Sequence, residues 1–391
     1  MGEFDEYWRR CLDDLEKLGR RRRLRDVDRL ADGRVAAGGS PLIDFSSNDY
    51  LGLSHHPELI RRARDFTARW GAGASASRLI SGNLPPIAGI EARIARGKGT
   101  EAALLFASGF QANSTVLPAL LDARVLGGVP VVYADRLNHA SLIQGCAAAA
   151  VRPMRFRHND LAHLEELLEG QRDATQPRVI VTETVFSMDG DRADVAALSA
   201  LAEKYRAFLY LDDAHATGVL GPGGFGLAHG LRQGLAMGTF SKGLGGFGAY
   251  AACSHGLRDY LVNRCGGVIY ATALPPAVLG AMDAALDLLP SLDGDRARVA
   301  AHADRFRSAL NAAGLDTGAS STQIVPLILG SEDRALRMAR QLEAEGFLAL
   351  AIRPPTVPAG SSRIRFSFSA LHGDAQREAL IEAVIRLSKV S

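Results

Sequence analysis

Phe208-Leu-Tyr-Leu-Asp212-Asp213-Ala-His215 is the stretch on which the fold turns. Its apolar run halts on two acids and a histidine, the pattern of a buried strand whose far end is polar. Six more runs of this kind surround it: Ala102–Phe106, Val129–Ala134, Arg152–Phe156, Arg178–Thr184, Leu235–Phe240 and Ala249–Ser254. Helical periodicity over Leu161–Glu169 and Asp194–Tyr205 separates several of them. Strand and helix in alternation predict an α/β fold, a mostly parallel seven-stranded sheet with helices on both faces. Ligands of such sheets bind beyond the carboxyl ends of the strands, so polar residues just past each run are the site candidates.

The pattern changes after Leu274-Pro275-Pro276. Helical stretches Ala277–Leu289 and Arg296–Ala313 precede strands Ile324–Leu329, Phe347–Ile352 and Arg363–Ser369, with helices over Glu332–Glu345 and from Asp374. The expected organisation is an N-terminal arm over 1–45, a large domain over 46–276 and a smaller α+β domain over 277–391. The arm reads as a helix with a basic end followed by a short strand, Pro41–Phe45.

Bulk properties set limits. Hydrophobic residues make up 47% of 391 and the net charge is +2, the profile of a globular protein with no global pull toward nucleic acid or membrane. The N-terminus lacks a signal-peptide apolar core, and no run reaches the roughly 18 to 20 apolar residues of a membrane span. A cytoplasmic enzyme is expected. Cys11, Cys146, Cys253 and Cys265 match no zinc template and read as reduced thiols.

Four strand ends carry chemistry. The Asp212 carboxylate needs a positive partner if buried, and a protonated pyridine nitrogen is one; a metal site or an exposed strand end are the alternatives. Thr239-Phe240-Ser241-Lys242-Gly243 offers a lysine able to form an imine once desolvated, and a hydroxyl for a phosphate, against the ordinary fate of a solvated lysine. Ser108-Gly109-Phe110-Gln111 opens a helix whose N–H groups suit an anion, unless it is a plain turn. His139, past the strand ending at Ala134, is placed to stack on an aromatic ring or to serve as a core histidine. Gly243-Leu-Gly245-Gly246-Phe-Gly248 matches the dinucleotide fingerprint literally, but a strand rather than a helix is expected after it. The run Arg20–Arg25 reads as a solvated helix end, a nucleic-acid patch or a receiver of an acidic acyl substrate or carrier.

Taken together with Phe45-Ser-Ser-Asn48-Asp-Tyr50-Leu-Gly-Leu and Val185-Phe-Ser187-Met-Asp-Gly190, these motifs resemble the α-oxoamine synthases. Those are fold-type I enzymes that use pyridoxal 5'-phosphate to join an amino acid to an acyl thioester with loss of CO2. The stretches Arg353-Pro-Pro-Thr356-Val-Pro-Ala-Gly360, Arg363-Ile-Arg365 and Tyr270-Ala-Thr272-Ala-Leu-Pro-Pro276 resemble the branch that condenses L-alanine with a pimeloyl thioester in biotin synthesis.

The resemblance implies Lys242 as Schiff-base lysine, Asp212 on the ring nitrogen and His139 stacked on the ring. It implies His215 and Ser187 near the phenolic oxygen, and Gly109, Phe110 and Thr239 on the phosphate. Thr272 would reach a phosphate across a homodimer interface. Arg365 would clamp the amino-acid carboxylate, with Asn48, Thr356 and one arginine of the run, best aligned as Arg22, as further substrate contacts. An acyl carrier protein or coenzyme A would deliver the acyl group; glycine or serine with other thioesters is the sister alternative. Ile87 stands where the family commonly has a histidine, and Asn83-Leu-Pro-Pro86 is also a departure. Both bear on the substrate entrance.

Overall fold

The computed structural model describes residues 2–30, 32–39, 41–171 and 175–389; residues 1, 31 and 40 of the arm lie outside them. Its centre is a seven-stranded sheet. Side by side lie Ala102–Phe106, Ala249–Cys253, Gly234–Thr239, Ala207–Asp212, Arg178–Glu183, Val131–Asp135 and Met154–Phe156. Ala249–Cys253 runs antiparallel to both neighbours and every other pairing is parallel. The seven expected runs are thus the seven strands. Two begin later than the apolar pattern because Pro130 and Pro153 have no N–H to give the ladder.

Alternate residues of these strands enter different cores. Ile180, Leu209 and Leu211 pack on one face, Val179, Val181 and Tyr210 on the other. Helices cover both faces, so each strand is apolar on both sides. The polar residues are left for the ends. In register, Glu183 sits beside Asp212, Asp212 beside Met237, and Thr239 beside Ala249, whose other neighbour is Phe106. One edge of the sheet therefore gathers Ser108, Asp135, Glu183, Asp212 and Thr239.

Helices Pro57–Trp70 and Pro86–Lys98, each opened by a proline in its first turn, precede the sheet. Ile87 is buried in the second helix at 1% exposure, so this departure serves the core. A strand, Ala249–Cys253, follows the Gly243–Gly248 loop, and the dinucleotide reading has no helix to use. The C-terminal part carries helices Pro276–Leu288 and Asp293–Ala312, strands Ile324–Gly330 and Ser362–Ser367, and helices Glu332–Ala344 and Asp374–Ser388. Among the described residues no helix is long and apolar enough to cross a membrane.

Two expectations need correction. The arginine run is not a helix end: the helix Glu3–Lys17 stops before it. Gly19 takes φ +63°, and Arg20 N–H closes on Leu15 O at 2.8 Å, a glycine-terminated stop that sends Arg20–Arg25 into extended chain. Phe347–Ile352 is not one strand either. Phe347–Leu348 joins Pro41–Asp44 in a small sheet, whereas Ala351–Ile352 pairs with Ser362–Ser367. Between them Ser46 Oγ donates to Leu348 O at 3.2 Å and accepts from Leu350 N–H at 3.1 Å, satisfying the backbone as the chain changes sheets.

Candidate active site

Asp212 ends its strand almost buried, 6% exposed, and its oxygens are held from two directions. Asn113 Nδ2 donates to Oδ2 at 2.7 Å and Ala214 N–H to Oδ1 at 3.0 Å. Asn113 is itself fixed, accepting from Tyr210 Oη at 2.8 Å and donating to Ser141 Oγ at 2.9 Å. Ser141 Oγ in turn lies 2.7 Å from His139 Nδ1. A polar chain therefore runs from Asp212 to His139, an exposed residue.

Lys242 is half-buried beyond the strand Gly234–Thr239. Desolvation pulls its amine below the usual lysine range, against the opposing fields of Asp212 and Glu183. Desolvation likewise lowers His139 and drives His215 well below the ordinary histidine value, with Lys242, Arg365 and His139 adding to the shift of His215. Both imidazoles are neutral at pH 7. Glu183 behaves oppositely: burial, then the charge of Asp212, raises its carboxyl well above the usual range. Its Oε1 accepts the His139 backbone N–H at 2.5 Å and so seats the loop that carries His139.

Opposite Lys242 the helix Gly109–Leu120 begins, capped by Ser108 Oγ, which accepts from Gln111 N–H at 3.1 Å. The first two amides, Gly109 and Phe110, have no acceptor among the described residues. A Cβ on Gly109 would lie 2.8 Å from Thr239 Cγ2, so only glycine permits this approach. Thr239 Oγ1 is buried with no hydrogen-bond partner. Two free amides at a helix start, packed beside a threonine whose hydroxyl has no partner, form a cradle with the right donors for a phosphate. The donor set fits a phosphorylated cofactor whose base end meets Asp212.

Arg365 crosses the opposite wall, 7% exposed. Its Nε donates to Ser187 O, Nη1 to Ser367 Oγ at 2.8 Å, and Nη2 to Asn48 Oδ1 at 2.9 Å and Tyr50 Oη at 3.2 Å. Tyr50 Oη also lies 2.7 Å from His215 Nδ1. Ser187 is thus tied to Arg365 through its backbone carbonyl. Arg22 Nη2 donates to Thr356 Oγ1 at 3.1 Å, whereas Arg20, Arg21, Arg23 and Arg25 pair with carboxylates. Thr356 lines one cavity with Arg136, Ser187 and Arg363 and another with Arg20–Arg23 of the arm.

Thr272 stands apart. It is exposed, bridges to Ser77 and, among the described residues, has no hydrogen bond to the Lys242 cluster. Phe110 and Tyr270, 47% and 85% exposed, flank this surface. The sequence assigned no role to Tyr50, Asn113 or Ser141, although all three fall in or beside its motifs, and none to Glu183. A polar residue at the end of Arg178–Glu183 was a usable signal for Glu183. Ser141 lies two residues past His139 in the same strand-end stretch. A second centre, His158, donates between Asp135 at 3.0 Å and Asp191 at 2.9 Å, joining the loop that carries His139 to the loop that carries Ser187.

The model of the aminotransferase class I and II family matches residues 40–384. A Bordetella pertussis protein named putative 8-amino-7-oxononanoate synthase is 60% identical, covering 98% of this chain and 97% of its own. The 8-amino-7-oxononanoate synthase of Gluconacetobacter diazotrophicus is 58% identical over the same shares. A solved serine palmitoyltransferase carrying PLP as its internal aldimine superposes with a TM-score of 0.91 at 25% identity, covering 100% of this chain and 99% of that one. The chain belongs to the aminotransferase class I and II family and, within it, to the α-oxoamine synthases.

Proposed function

We propose that this chain is a cytoplasmic 8-amino-7-oxononanoate synthase, a pyridoxal-phosphate-dependent acyltransferase. It condenses L-alanine with a pimeloyl thioester and releases CO2 and free thiol, a step of biotin synthesis. The observation that carries this reading is identity of 58–60% along nearly the whole of both chains with relatives of that name. The phosphate cradle and the desolvated lysine support it.

When bound, pyridoxal phosphate supplies an aldehyde for amines and a protonated ring that draws electrons from Cα. Asp212 keeps the ring nitrogen protonated, and Asn113 keeps Asp212 in place. Gly109, Phe110 and Thr239 hold the phosphate. Lys242, its amine lowered by burial, takes and returns the Cα proton. His139 would stack on the ring when the cofactor is bound, and His215 and Ser187 would lie near its phenolic oxygen. Arg365 and Asn48 receive the alanine carboxylate. With Nε and Nη2 committed inside the protein, Arg365 offers its remaining Nη1 hydrogen first.

Arg22 and Thr356 line the acyl approach, and coenzyme A or an acyl carrier protein brings the thioester. Thr272 completes the phosphate site of a second copy, which makes the enzyme a homodimer with shared sites. Its exposure, and its lack of bonds to its own site, support this.

The test is thiol release from pimeloyl-CoA and from pimeloyl carrier protein with L-alanine, glycine or L-serine. Release that requires L-alanine is the expected result. Turnover of glycine or serine with other acyl thioesters, and none with a pimeloyl donor, refutes the substrate assignment and leaves the family.

A further inference from the structure

Arg78 forks onto Glu91, Nη1 donating to Oε1 and Nη2 to Oε2 at 3.2 Å, and its Nε donates to Asn83 Oδ1 at 3.0 Å. The ion pair is largely out of water, its side chains 13% and 8% exposed. Glu91 Oε1 also accepts the Leu105 N–H at 2.9 Å, within the strand Ala102–Phe106 that leads into the phosphate cradle. Asn83, one of the departures in the sequence, takes the Nε–H that the fork leaves over.

Arg78 opens a tight bend. Over Arg78–Gly82 the chain makes one π-helical turn, closed by Gly82 N–H on Ser77 O at 3.0 Å. The two residues before that turn hold Thr272 and its neighbour: Ser77 bridges to Thr272, and Ala76 O accepts the Ala273 N–H at 3.0 Å. Among the described residues Thr272 and Ala273 have no other hydrogen-bond partner. A Cβ on Gly82 would lie 2.2 Å from the same Ala76 O, so the turn closes directly over the carbonyl that holds this segment. A chain of contacts therefore runs from the exposed Thr272 through Ser77, Arg78 and Glu91 to the strand beneath the cradle.

We propose that the turn 76–83 is a clasp, and that Arg78 is a positioning residue that sets Thr272 for the phosphate site of a second copy. This rests on the shared site proposed above. A guanidinium suits the task because one rigid fork serves Glu91 and Asn83 together. Lysine in its place keeps a positive charge for Glu91 but has no planar fork to hold both. Glu91 then keeps its bond to Leu105, so the copy's own cradle stays seated while Thr272 loosens.

The test uses mixed dimers of full-length chains, isolated with two affinity tags. One chain carries Lys242→Ala, so imine absorbance reports the cofactor only at the lysine of the other chain. Arg78→Lys is placed either on the Lys242→Ala chain, whose Thr272 serves the reported site, or on the lysine-bearing chain. In the first arrangement the cofactor dissociation constant of the reported site rises about tenfold, the loss of one hydrogen bond to a charged group. In the second it changes by less than about threefold. Gly82→Ala displaces the Ala76 carbonyl without altering Arg78; it gives the same asymmetry and decides if Arg78→Lys does not assemble. An effect in the first arrangement no larger than in the second overturns the proposal, because a merely structural role weakens either chain alike. Thr272→Ala on the Lys242→Ala chain tests the reading beneath it. If Thr272→Ala raises the constant and the clasp variants do not, the clasp alone falls. If Thr272→Ala changes nothing, the shared site is refuted and the clasp falls with it.

Discussion

Replacing Lys98 with methionine tests the energetics beneath the site. Lys98 and Asp213 form an ion pair in which neither side chain has exposed surface. Lys98 Nζ donates to Asp213 Oδ2 at 2.5 Å and to Phe225 O at 2.8 Å, and Asp213 Oδ1 accepts from Thr184 Oγ1 and from Leu227 N–H at 3.1 Å. Methionine fills most of the lysine volume, so little of the loss comes from a cavity. What remains is a carboxylate with two donors and no cation, and removing one partner of a buried pair costs about 3–5 kcal/mol. For 391 residues, at an unfolding entropy of about 2.1 cal/mol/K per residue, each kcal/mol moves the melting temperature by about 1.2 °C. Lys98→Met should therefore melt about 4–6 °C lower. Adding Asp213→Asn removes the stranded charge and should recover at least half of that loss. Differential scanning calorimetry of the wild type, both single variants and the double variant reads all four terms. A loss below about 1 °C for Lys98→Met, or a double variant no more stable than Lys98→Met, refutes the account.

Lys242→Ala should abolish both the imine absorbance of the bound cofactor and thiol release, while melting stays within about 2 °C of the wild-type apoprotein; full turnover would remove Lys242 from the chemistry. Gly109→Ala pushes Thr239 away from the phosphate cradle, and its cofactor dissociation constant, read by fluorescence titration, should rise about tenfold. An unchanged constant would disprove the cradle. His158 predicts a pH dependence of stability. Although burial alone would lower its pKa, hydrogen bonds to Asp135 and Asp191 push it up to about 10, above the unfolded value of about 6.5. A raised folded pKa stabilises fully below the unfolded value, and that contribution is lost as pH rises through about 10. The melting-temperature gap between wild type and His158→Gln should thus be largest near pH 6 and shrink toward pH 10.5. A gap independent of pH would contradict the charged state.

The strands and their polar ends were legible because each is a local pattern: an apolar run, a stop, and a residue whose chemistry does not suit a core. Asp212, Lys242 and the helix start at Gly109 are therefore visible one segment at a time, and motif order added the family. What could not be read is every property that needs two distant segments. The run Arg20–Arg23 is degenerate as text, and the bond between Arg22 and Thr356 is visible only in the fold. The end of the first helix was misplaced because basic residues continue past it, whereas the left-handed turn at Gly19 is a backbone event.

By itself the sequence determined the strand-and-helix alternation and the side-chain types at the strand ends, since hydrophobic periodicity and proline or glycine punctuation act over a few residues. Tertiary structure decided the partners. Asn113 meets Asp212 across 99 residues, Lys98 meets Asp213 across 115, Tyr50 meets His215 across 165 and Asn48 meets Arg365 across 317. Each pair exists because folding removes both groups from water and leaves the other as the available hydrogen-bond or charge partner. That is a property of the packed site and of no single stretch of chain.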